Sequence, residues 1–266
     1  MILRAYVIAF LVFLYAPILL LPVFAFNDGT VIAFPLNGFT TRWFAALRTN
    51  GELHAALANS LFVATTASVL SVLLGLAAAR ANVRYAFAGK RAAMGLIMLP
   101  LVLPEIIVAV SLLVVAIRIL GLDLSLWTVV AAHVLICTPF AVAILNASFQ
   151  SLDPSLEEAA IDLGHTRPET FRRITLPLVM PGIVASLLIC FTISLDEFII
   201  AFFLTGSDPT LPVYIWSLLR FPRQIPVVMA LGTILVLVSI AILCLAEWNR
   251  RRGLARMGAK DSGGFL

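Results

Sequence analysis

The chain has 266 residues, of which 62% are hydrophobic and only 12% charged, and its formal net charge is +4. A water-soluble domain is about 45–50% apolar and about 25% charged, so these proportions exclude a soluble fold and make the bilayer the solvent. Three cysteines, Cys137, Cys190 and Cys244, fall at wide spacing inside apolar runs and read as packing thiols rather than a disulfide framework or metal site.

Six apolar stretches follow in chain order, near 6–26, 57–79, 93–117, 125–148, 177–205 and 225–247. Each approaches the roughly 20 residues needed to cross about 30 Å of hydrocarbon. The first follows Arg4 and has the charge pattern of a signal peptide. Its apolar run is longer than the about 7–15 residues of a typical signal core, so it is read as an uncleaved anchor. The expected fold is an all-α integral membrane bundle of six transmembrane helices. It divides into residues 1–56 (first span and outer loop), 57–248 (core) and 249–266 (basic tail).

Orientation follows from the basic residues. One set of loops holds Arg4, then Arg80, Arg84, Lys90 and Arg91, then Arg167, Arg172 and Arg173, and finally the cluster from Arg250 to Lys260. The opposite set holds only Arg42, Arg48, Arg118, Arg220 and Arg223. Cytoplasmic loops carry the excess of Lys and Arg, which puts both termini inside. The basic tail is then a topology signal and not a nucleic-acid site. In the outer loop, Asn27-Asp28-Gly29, Pro35 and Asn37-Gly38 supply turn chemistry. Beside Arg42, the Trp43-Phe44 pair marks either a short interfacial segment or a solvated connector.

Between the fourth and fifth spans, the stretch from Phe149 to Leu176 is too patterned for a mere linker. Asp153-Pro154 reads as an N-cap with proline in the first turn, and Ser155 with Glu158 has capping-box spacing. Gly164 stands where a helix would end through a left-handed residue. Leu156, Ala159, Ala160 and Leu163 recur on one face, with Glu157, Glu158 and Asp162 on much of the remainder. Thr166 and Glu169 repeat the capping-box spacing around Pro168, starting a second short helix. Such a small-residue stripe suits close approach of another protein's backbone; the alternative is a surface helix packed on its own bundle.

The run Glu158-Ala159-Ala160, three residues, Gly164, nine residues, then Ile174-Thr175-Leu176-Pro177 resembles the EAA loop of ABC importer permeases at every fixed position. The resemblance spans about Asn59 to Trp248. It implies a type-I permease bundle whose cytoplasmic coupling helix docks on an ATP-hydrolysing subunit through Leu156, Glu158, Ala159, Ala160, Leu163 and Gly164, with Pro177 closing the motif. It further implies a second homologous permease, two ATP-binding subunits and a periplasmic substrate-binding protein as partners, in a bacterial inner membrane. ATP and Mg would sit on those partners, with no cofactor in this chain. Gly89-Lys90-Arg91 lacks the upstream glycine and following Ser or Thr of a phosphate-binding loop, so the chain is not expected to be an enzyme.

Charges at membrane depth are costly and face cavities or partners. Glu105 follows Pro100-Leu101-Val102-Leu103-Pro104 in the third span, and Asp196 and Glu197 lie in the outer half of the fifth. These prolines permit bends in helices that line a changing cavity. All three charges are acidic, which favours a cation in a low-dielectric passage; alternatively they pair with Arg118, Arg220 or Arg223 as locks. Ser194-Leu195-Asp196-Glu197-Phe198, Phe203-Leu204-Thr205-Gly206, Leu99-Pro100, Pro104 to Ile107, Leu211-Pro212 and Trp216-Ser217 are similar to the spermidine/putrescine permease subgroup. Glu197 departs from that pattern, where a second aspartate is common. The subgroup implies a polyamine cargo, with other small amines, phosphonates or metal ions as alternatives. An ATP-independent transporter and a non-transporting scaffold are the rival classes. His133 is expected to be a packing residue bonded to a backbone carbonyl, with a proton relay as the alternative; His54 and His165 read as solvated.

Overall fold

A first helix with apolar side chains around its whole circumference has no polar face to offer water, and α1 (Ile2–Ala25) is such a helix. The computed structural model describes residues 2–256, so Lys260 and the end of the basic tail lie outside the described residues. Eleven more helices follow: α2 (Arg42–Thr49), α3 (Gly51–Arg84), α4 (Lys90–Met98), α5 (Glu105–Val114), α6 (Leu126–Gln150), α7 (Pro154–Asp162), α8 (Arg167–Thr170), α9 (Leu176–Asp196), α10 (Ile199–Leu204), α11 (Leu211–Leu219) and α12 (Ile225–Arg256). Among the described residues five helices are long and apolar enough to cross a membrane, six when the bent pair Lys90–Leu101 with Glu105–Ile119 is counted as one span. The all-α membrane architecture read from composition is the one observed.

Two of the predicted spans are interrupted, one of them at the prolines expected to permit a bend. The third turns by 104° between Lys90–Leu101 and Glu105–Ile119. Pro100 and Pro104 are the cause: each lacks an N–H, and each disfavours helical geometry in the residue before it. The fifth does not run unbroken to residue 205, because α9 stops at Asp196 and extended backbone at Glu197 precedes α10. At its other end a π-helical turn, Phe171–Thr175, feeds α9, with the Leu176 N–H reaching back to Phe171 O. Pro177 sits in the first turn of α9, where a missing N–H does little harm.

The chain divides into two compact units, Met1–Gly51 with Ile215–Leu266, and Glu52–Tyr214. In the first, α12 packs against α1 and α2, and Gly232 lets the Leu21 side chain approach. The outer loop is not a loose connector. Asn27 bridges Phe39, and the Asn37 N–H donates to Asn27 Oδ1 at 2.7 Å. Arg42 pairs with Asp28 at 2.9 Å and lies 4.3 Å over the Trp43 ring, whose Nε1 donates to Asn27 O at 2.9 Å.

The second unit is organised by α6, which packs along α9 and also meets α10; α10 in turn packs on α5. Helices in lipid gain no hydrophobic drive from each other, so close packing of small residues does that work. A Cβ on Gly75 of α3 would come within 2.7 Å of the Ala141 Cβ of α6. A Cβ on Gly182 of α9 would collide with the Ser148 side chain of α6. Cys137 and Cys190 each donate a thiol to the other's carbonyl oxygen, at 3.6 and 3.5 Å, so both act as small packing groups across α6 and α9. Gly75→Val should therefore destabilise this unit by about 1–3 kcal/mol or more. The check is thermal unfolding of the detergent-solubilised chain, where an unchanged midpoint would contradict this packing.

Candidate functional site

The stretch between α6 and α9 is built from two short helices, α7 and α8, with defined caps. Asp153 Oδ1 accepts from the Ser155 N–H at 3.0 Å, and Pro154 occupies the first turn of α7. That hydrogen bond holds the Asp153 carboxyl below the usual carboxylate range, so the cap is complete at neutral pH and weakens as pH falls through the lowered value. Ser155 is thus the residue being capped, and the Ser155–Glu158 box does not form. At the other end the Gly164 N–H donates to Ile161 O at 2.9 Å and the His165 N–H to Ala160 O at 3.1 Å. Gly164 has φ +92° with nothing within 4 Å of a Cβ placed there. These are the paired bonds of a Schellman end, and the glycine is needed for its backbone conformation rather than for space. Thr166 and Glu169 do form the expected box, with both the Thr166 N–H and Oγ1 donating to Glu169 Oε2 at 2.9 and 2.8 Å.

The four residues of the predicted apolar stripe, three in α7 and Leu163 just past its end, do not share one environment. Ala160 is turned inward and buried, while Leu156 is 45% and Leu163 84% exposed and Ala159 is also exposed. Two leucines thus stand open to the outside on this capped segment. Of the two adjacent glutamates, Glu158 is exposed and Glu157 points to the bundle. Glu157 Oε2 lies 3.0 Å from Arg84 Nε at the end of α3, and Oε1 accepts from Thr175 Oγ1 at 2.6 Å. Beside them Arg80 lies 4.2 Å over the Phe171 ring, and a cavity of about 560 Å³ opens between Arg80, Arg84, Tyr85, Glu157, Glu158 and Arg167. Neither Glu157 nor Arg84 was singled out by sequence. The nearest signal is the doubled glutamate, and which member turns inward depends on where α3 ends.

The three deep acids also part company. Glu105 is the exposed first residue of α5, immediately after the break in the third span. Asp196 is the exposed last residue of α9, at the break in the fifth. Glu197 is buried and does not open onto a passage: its Oε1 and Oε2 accept from the Ile200 and Ala201 N–H groups, both at 3.0 Å, capping α10. His133 Nε2 lies 3.3 Å from Glu197 Oε2, and Nδ1 lies 2.7 Å from Ser194 Oγ. The expected backbone-carbonyl partner of His133 is therefore replaced by two side chains, tying α6 to both sides of the break. Among the described residues no ion pair joins any of the three acids to Arg118, the basic candidate in the same unit.

Residues 71–252 match the family model of the binding-protein-dependent transport system inner membrane component. The chain belongs to that family. This inner-membrane component is 34% identical over 255 residues to the spermidine/putrescine transport system permease protein PotC of Shigella flexneri, covering 95% of this chain and 93% of that one. It is 35% identical over 243 residues to the putrescine transport system permease protein PotI of Escherichia coli K12, covering 89% and 85%. In fold it resembles a chain of a bacterial ABC transporter involved in the import of the acidic polysaccharide alginate, with TM-score 0.73 at 16% identity, covering 91% of this chain and 94% of that one. The chain is accordingly a multi-pass inner-membrane protein with the type-I ABC importer permease fold. The α7 helix, its Gly164 end and all three deep acids fall inside the matched residues of this component.

Proposed function

We propose that this component is the permease subunit of an ATP-driven importer whose cargo is a polyamine of the putrescine or spermidine type. The observation that carries the reading is α7: a helix capped at both ends, showing Leu156 and Leu163 to the outside, in a chain whose sequence has no phosphate-binding loop. Such a helix can transmit force but not generate it. Hydrolysis then belongs to two partner subunits, where ATP and Mg act, and this chain has no catalytic role and carries no cofactor. A second homologous permease completes the passage, and a periplasmic binding protein delivers cargo. Both chain termini lie in the cytoplasm, as the distribution of basic residues indicates.

Support for the cargo comes from two directions. Relatives named for spermidine and putrescine transport match nearly the whole chain. Independently, Glu105 and Asp196 are exposed at breaks in two spans, where unpaired carboxylates attract an organic cation more strongly than in bulk water. The test is uptake of labelled putrescine and spermidine by cells carrying this chain with its co-encoded ATPase, second permease and binding protein. ATP-dependent polyamine accumulation is expected, saturating at a level that a neutral sugar does not compete. Accumulation without an ATPase, or of the sugar alone, would overturn the proposal.

A further inference from the structure

We infer that Glu157 is the positioning residue that clamps α7 to the membrane-embedded helices, so that its neighbour Glu158 is left to face outward. The inference rests on the permease reading above and assigns the mechanical link within this chain. Glu157 uses each carboxylate oxygen on a different element. Oε2 forms an ion pair with Arg84 Nε at 3.0 Å, at the last residue of α3. Oε1 takes Thr175 Oγ1 at 2.6 Å, at the entry to α9. Arg84 also reaches Leu152 O, just ahead of α7, at 3.4 Å. One carboxylate therefore joins α3, α7 and α9.

The clamp is partly screened from water, with one side on the cavity described above. The Arg84 and Glu157 side chains are 15% and 19% exposed, and Thr175 is fully buried. A charge pair in this setting is weakly informative about net stability, but removing one member strands the other. Glu158, one residue on, makes no ion pair or hydrogen bond among the described residues and is exposed. Ala160 is the buried residue of α7, and α7 also contacts α8 and the π-helical turn that leads into α9, so Glu157 is the side chain of α7 that reaches α3 through a charge. Load applied at Leu156 and Leu163 thus passes to the two long helices through Glu157. Because α3 and α9 are both span-forming helices, the clamp delivers that load where the passage must open.

The experiment uses the complete transporter, measuring polyamine uptake and ATP hydrolysis on the same preparations. Glu157→Gln should lower uptake per ATP hydrolysed by about tenfold, while the ATPase subunits still co-purify and hydrolyse. The exchanged pair Arg84→Glu with Glu157→Arg should recover several-fold over either single variant, an outcome that loss of packing alone would not produce. Thr175→Val, isosteric and lacking only the hydroxyl, should lower the same ratio by about two- to fivefold. A Glu157→Gln transporter with the wild-type ratio overturns the clamp. If that variant fails to accumulate in the membrane, Thr175→Val decides, and its wild-type ratio overturns the clamp equally. Failure of the unmodified chain to co-purify with any ATPase would instead overturn the permease reading itself.

Discussion

Gly164→Val is expected to abolish ATP-coupled uptake while leaving the chain inserted in the membrane. No clash is involved, since a Cβ at residue 164 meets nothing within 4 Å. The penalty lies in the backbone: φ +92° is outside the region an L-residue adopts freely, and forcing a β-branched side chain there costs about 1–3 kcal/mol. The chain can relieve that strain by giving up the Gly164-to-Ile161 and His165-to-Ala160 hydrogen bonds. The end of α7 then unwinds, and Leu163, the exposed residue that follows it, loses its fixed position. Cargo uptake should fall more than about tenfold and stimulated hydrolysis with it, as for other losses of about 1.4 kcal/mol or more. Asparagine tolerates left-handed geometry, so Gly164→Asn should retain much more uptake than Gly164→Val. Equal activity of the two variants would show that the left-handed end is not what matters.

The second large effect is expected at Asp196. A carboxylate at the last residue of α9 opposes the helix dipole, which at that end favours cations by about 0.3–1 kcal/mol. Asp196 is therefore not there for helix stability. Asp196→Asn should leave the thermal midpoint unchanged or slightly raised, yet lower the transport efficiency for a polyamine by about tenfold. An attraction of only about 1.4 kcal/mol in the passage is enough for that, well under what two charges about 4 Å apart gain at an effective dielectric near 20. Glu105 gives the contrasting case. It stands at the N-terminus of α5, where the dipole favours it, so Glu105→Gln should cost a few tenths of a kcal/mol in stability as well as uptake. Measured together, uptake and unfolding separate a cargo role from a packing role. Wild-type uptake by Asp196→Asn would remove this residue from the path.

Glu197 belongs to neither class. With both oxygens on α10 and His133 alongside, its work is to fix the geometry of the break that leaves Asp196 exposed. Three acids that look equivalent in one dimension thus divide into two that are exposed and one that is buried as a helix cap.

Features set by local chemistry and by the solvent were legible in one dimension. The Asp153-Pro154 start, the Gly164 end and the Thr166–Glu169 box each depend on residues within a few positions of one another. They survive translation into three dimensions almost unchanged. Tertiary structure alone decided which way neighbours point. Whether Glu157 or Glu158 turns inward depends on where Arg84 and Thr175 arrive from α3 and α9. Whether Glu197 lines a passage or caps a helix depends on the chain stopping at Asp196 and on His133 reaching it from α6. The physical reason is that a helix turn rotates successive side chains by about 100°, so adjacent residues of the same type meet different surroundings once distant segments pack against one side.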